Sequence, residues 1–180
     1  MRSKIVVLPI GGIDETLLQV LGEELEKKVP NSEIVVAKEA VCVPEEAYDS
    51  SRRQYYSTKI LEKISEKAST MSAGKVLGVT AADLYVPRLN FVFGEAYCPG
   101  KVAVISINRL RPEFYNEPPD IRLLLSRMSK EAVHELGHTF GLNHCSNSEC
   151  VMYFSNSIVD TDTKGSAFCD QCLQNLRLPP

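Results

Sequence analysis

The chain has 180 residues, 44% of them hydrophobic and 24% charged, with a net charge of −3. That balance suits a single globular domain with a full core, and the mixed charges exclude a nucleic-acid-binding patch or an acidic tail. No stretch approaches the roughly 18 apolar residues of a membrane span, and Pro9, Gly11 and Gly12 break the N-terminal apolar run before it can serve as a signal peptide. A cytoplasmic setting is therefore expected, in which thiols stay reduced.

Lys4–Pro9 reads as a buried strand, and Asp14 caps a helix running to Val29 with Leu17, Leu18, Leu21 and Leu25 on one face. Ser32–Val41 is the second strand. A second helix follows from about Tyr55 to Thr70, and Lys75–Thr80 is the third strand. Phe91–Ala96 and Lys101–Ile107 are the fourth and fifth strands, joined by a Cys-Pro-Gly turn too short for anything but an antiparallel pair. Alternating strands and helices predict a mostly parallel α/β sheet with one antiparallel strand at its edge. Asp120 caps a long helix from Ile121 to about Phe140, and beyond Gly141 regularity is lost until a last helix over Asp170–Leu178. The chain thus divides into an upper part of about residues 1–141 and a smaller one of about 142–180.

His134, His138 and His144 are the only histidines, and all lie within twenty residues. His134 and His138 are four apart on the predicted helix, about 40° apart on one face, so both rings can reach one ion. Glu135 projects from an adjacent angle, able to touch a water without binding the metal. Gly141 lets the chain leave the helix sharply, and His144 follows three residues later. The pattern H-E-x-x-H-x-x-G-x-x-H predicts a zinc site with an open fourth position, hence a catalytic one. Zinc there would activate water for attack on a carbonyl, with Glu135 as general base. No histidine is left over to stabilise an oxyanion, so Tyr153 is the candidate helper.

Cys145, Cys150, Cys169 and Cys172 have spacings that suit a structural zinc. A redox pair or disulfides are the alternatives, and the expected compartment disfavours disulfides. Cys145 directly follows His144, so the second zinc would fix the backbone that presents a catalytic ligand. Cys42 and Cys98 have no partners at suitable spacing and are expected as buried thiols.

The run HELGHTFGLNHCSNSECVM followed by CDQC resembles the archaemetzincins, within the metzincin clan of zinc metalloproteases. The resemblance is specific over residues 134–172 and only compatible with the rest. It implies a zincin-like fold whose small C-terminal part is organised by a second zinc. It also implies that His134, His138 and His144 hold catalytic zinc, that Glu135 is the base, and that the four cysteines hold the other zinc. Met152 becomes the Met-turn methionine beneath the site. The segment between Met152 and Cys169 has sixteen residues, one shorter than the family pattern. Phe154 stands where some metzincins carry a zinc-reaching tyrosine, so no fifth ligand is expected.

The expected activity is zinc-dependent hydrolysis of peptide bonds, on short peptides or peptide ends, with neither nucleic acid nor membrane as partner. Because the first strand begins almost at once, no inhibitory pro-segment is expected. That keeps a second reading open, a restrained zinc protein that binds a peptide or protein partner.

Overall fold

Unbroken apolar runs in the central strands need cover on both faces of a sheet, and the helices supply it. The computed structural model describes residues 2–176. In chain order the elements are β1 (Ser3–Ile10), α1 (Glu15–Lys28), β2 (Ser32–Val36), β3 (Tyr48–Asp49), β4 (Gln54–Tyr56), α2 (Ser57–Ser69), β5 (Lys75–Thr80) and β6 (Leu84–Tyr85). Then come β7 (Gly94–Ala96), β8 (Val102–Ser106), α3 (Ile121–Thr139), α4 (Ile158–Thr163) and α5 (Asp170–Asn175).

The main sheet has the order β2-β1-β5-β8-β7, parallel throughout except for β7, which runs antiparallel to β8 at the edge. Side chains alternate across it as the pleat requires. Ile5, Val7, Leu77, Val79 and Ile105 face α1 and α3, whereas Val6, Leu8, Val76, Val102 and Val104 face Ile60, Leu61 and Ile64 of α2. The mixed α/β sheet with an antiparallel edge strand is as the sequence predicts.

Five details differ. The strand expected over Ser32–Val41 ends at Val36, where it is the outermost strand with no further neighbour to hold it; only Val41 returns, as an isolated bridge to Ile10. Of Phe91–Ala96 only Gly94–Ala96 pairs with β8, because Val92 bridges Leu84 instead. That diversion belongs to a second small sheet, β3-β4-β6, which also takes Tyr55 and Tyr56 out of the expected helix. The last helix stops at Asn175, and Leu178 lies outside the described residues. Cys42 and Cys98 are exposed, not buried: one sits in the loop after the Val41 bridge, the other in the β7–β8 turn.

Candidate metal centre

Helix α3 carries the first two histidines. Asp120 caps its start by accepting from Arg122 N and Leu123 N at 2.9 and 3.0 Å. Its end is held by Lys75, whose ammonium donates to the carbonyls of Thr139 and Gly100 at 2.7 and 2.6 Å. Gly141 then takes a φ of 91°, a left-handed turn that only glycine adopts without strain. Through it Leu142 N donates back to Gly137 O at 3.1 Å, and the chain doubles back to present His144.

The three rings converge, with centroids 4.7 to 5.3 Å apart. His134 Nδ1 donates to Val151 O at 2.8 Å and His138 Nδ1 donates to Leu142 O at 2.7 Å. A carbonyl can only accept, so the proton is on Nδ1 and each Nε2 keeps a free lone pair. Those two Nε2 atoms are 3.1 Å apart. Facing lone pairs at that distance repel unless a cation lies between them, and two ligands of a tetrahedral zinc are separated by about 3.3 Å. Burial pushes all three imidazoles below their ordinary pKa, most strongly His134, where the Lys164 ammonium adds to the effect. They are thus held neutral, the form that binds metal.

Glu135 is buried beside them. Loss of solvent pushes its carboxyl well above the ordinary range, with the Glu131 charge adding and Lys164 opposing. Gly94 of β7 makes room for it: a Cβ there would lie 2.7 Å from Glu135 Cγ. Met152 packs below, where a Cβ on Gly137 would meet its sulfur at 2.4 Å. A methionine in this position fills the space under the helix between the turns that carry His134 and His138.

The four cysteines also converge. Cys145 and Cys169 sulfurs are 3.8 Å apart and those of Cys150 and Cys172 are 3.7 Å apart. A disulfide would bring sulfurs to about 2.05 Å, whereas thiolates on a tetrahedral zinc lie about 3.8 Å apart. The Cys150 sulfur also accepts from Cys169 N at 3.3 Å. Cys145 N donates to Met152 O at 2.9 Å, so the cysteine cluster and the methionine turn share a backbone bond.

A cleft of about 500 Å³ opens over the histidines, bounded by Phe91–Ala96 on one side and by Asn143, His144 and Phe154–Asn156 on the other. Tyr153 does not line it; Phe154 does, tilted against the His144 ring at 4.9 Å. Cys98 also reaches the cleft, its thiol donating to Leu142 O at 3.4 Å. Sequence reasoning missed Glu131 and Lys164, a buried ion pair at 3.0 Å whose ammonium lies 3.5 Å from His134 Nδ1. Glu131 carried one signal, its position one helical turn before His134 on the same face. Lys164 carried none.

An active-site helix with H-E-x-x-H beneath an antiparallel edge strand, a third histidine after a glycine turn and a methionine turn below define a zinc metallopeptidase of the metzincin class. Residues 15–178 match the model of Peptidase family M54. The archaemetzincin of Pyrococcus furiosus is 45% identical over 179 residues, covering 98% of this chain and 93% of that protein. The crystal structure of archaemetzincin from Archaeoglobus fulgidus, complexed with malonate, superposes with a TM-score of 0.81 at 41% identity, covering 96% of this chain and 99% of that one. A zinc-dependent peptidase from Methanocorpusculum labreanum superposes with a TM-score of 0.86 at 32% identity, covering 95% and 98%. The chain belongs to Peptidase family M54, the archaemetzincins.

Proposed function

We propose that His134, His138 and His144 hold one catalytic zinc, that Cys145, Cys150, Cys169 and Cys172 hold a second, structural zinc, and that Glu135 is the general base of peptide-bond hydrolysis. The observation that carries this reading is the pair of facing Nε2 atoms at 3.1 Å with Glu135 alongside. Zinc held there supplies Lewis acidity, polarising a carbonyl and acidifying water. Glu135, its basicity raised by burial, takes the proton of the attacking water and delivers it to the leaving amine. Met152 supports the floor. A cytoplasmic setting, with reduced thiols, suits the cysteine cluster.

The substrate on this reading is a short peptide or a peptide end, bound as an added strand along β7. Phe93 and Tyr97 spend their backbone groups on β8, so by alternation Gly94 and Ala96 turn theirs outward to the open edge. The test is a diverse peptide set digested by the wild type and by Glu135→Ala, with bound zinc counted in both. Cuts made by the wild type alone, with two zincs per chain in each protein, are the expected result. Intact peptides from fully loaded wild type would favour the second reading, a zinc protein that binds peptides or partners without cutting them.

A further inference from the structure

Glu131 sits one turn before His134 on α3 and is only 2% exposed. Every contact made to its carboxylate falls on a single oxygen. Oε1 accepts from Thr161 Oγ1 at 2.8 Å and from Ser155 Oγ at 3.3 Å, and pairs with Lys164 Nζ at 3.0 Å. Among the described residues, Oε2 has no partner. It is not sealed inside the protein either: Glu131 lines the cleft, and among the described residues the one fully enclosed side-chain polar atom left without a partner is Ser3 Oγ. A carboxylate oxygen in so buried a setting needs a hydrogen-bond donor, and only the cleft can bring it one.

The surroundings narrow what that donor is. Phe91, Phe93 and Phe154 line the same cleft, so much of its wall is apolar. Lys164 is fully buried and already balances the Glu131 charge. A second ammonium or guanidinium on Oε2 would share one carboxylate with Lys164 and be repelled by it at close range. A neutral donor meets no such repulsion. An apolar tip would leave the oxygen unbonded.

We infer that this corner of the cleft is a side-chain subsite, selecting an uncharged residue with an apolar stem and a donor at its tip, such as glutamine or tyrosine, seated on Glu131 Oε2. The inference rests on the proposed peptide-binding cleft. It adds to it the class of side chain the cleft prefers.

The test is binding, read by calorimetry on zinc-loaded Glu135→Gln protein, which holds peptides without cutting them. The probes are short alanine peptides with one variable residue, free to slide until that residue finds the subsite. Glutamine should bind about tenfold or more tighter than methionine, and tyrosine than phenylalanine, the advantage of one hydrogen bond to a charged group. Lysine should gain nothing over methionine. Equal binding by all five, or lysine tightest of all, would overturn the subsite while leaving the peptide cleft standing. No binding by any of them would overturn the cleft reading itself, and the subsite with it. Glu131→Gln alone strands Lys164 and risks misfolding, so the confirming variant is Glu131→Leu with Lys164→Met, which removes both charges. In that background the glutamine and tyrosine advantages should vanish while peptide binding persists; their survival would place the donor contact elsewhere.

Discussion

A methyl group at position 94 would lie 2.6 Å from the Val104 carbonyl oxygen and 2.8 Å from Glu135 Oε1. Backbone cannot yield there, so Glu135 must. Gly94→Ala is therefore expected to displace Glu135, the proposed base, while leaving the three histidines in place. Turnover should fall by about tenfold to a hundredfold, as a misplacement near one ångström costs, with bound zinc unchanged. Zinc content and kcat measured on one preparation decide this; loss of zinc would mean that the strand, not the base, had moved. Lys164 is a residue of another kind, because its ammonium is buried against Glu131. Lys164→Met strands a buried carboxylate and should cost about 3–5 kcal/mol, whereas adding Glu131→Leu should recover most of that loss. Chemical denaturation of the two variants reads the difference directly. Neither Gly94 nor Lys164 stood out in the sequence. Each matters because of an atom brought close by folding, from about forty residues away for Gly94 and about thirty for Lys164.

Elements were legible where periodicity and caps agreed. Asp14 and Asp120 cap α1 and α3 as their positions before apolar runs suggest, and Leu17, Leu18, Leu21 and Leu25 form the buried face of α1. Helix α4 was not legible, because Ile158, Val159, Thr161 and Thr163 are β-branched and argue against a helix. Two things override them. Ser157 and Asp160 form a capping box, and α3 grips the turn from the side: Arg127 makes a two-point pair with Asp162 at 2.7 Å, and Lys130 donates to the Thr161 and Asp162 carbonyls. The same grip aligns Lys164 and the residues that wall the cleft. The two groups that converge, three histidines and four cysteines, were legible for the opposite reason, since their spacing is local in sequence and needs few long-range contacts to be recognised. The backbone link between the two clusters belongs to this scale too. Cys145 follows His144 and bonds Met152 O, so Cys169→Ser should weaken zinc binding at the histidines severalfold, although no histidine changes. Competition with a metal-sensitive dye separates the two sites; unchanged histidine-site affinity would show them to be independent.

At the scale of the molecule, the C-terminal part shares one core cluster with the sheet but contributes few side chains to it. The interior of the sheet, Ile5, Val7, Leu77, Val79, Val104 and Ile105, is fully buried between helices and needs no metal to close. Beyond Gly141 the buried apolar side chains among the described residues are few: Leu142, Val151, Met152 and Phe168, with Cys150 and Cys172. Apolar burial at about 25 cal/mol per Å² from so few side chains offsets little of the ordering of so many residues, and the proposed cysteine-bound zinc would supply the rest. Stripping zinc with a chelator should therefore unfold the protein in part. Hydrogen exchange should rise sharply across 142–176, where α4 and α5 lie, while β1, β5 and β8 keep their protection. Restoring zinc should return the protection, first where the cysteines meet. If chelation instead raised exchange evenly across the sheet, the two halves would form one cooperative unit, and the edge strand above the cleft could not hold its place without the metal below.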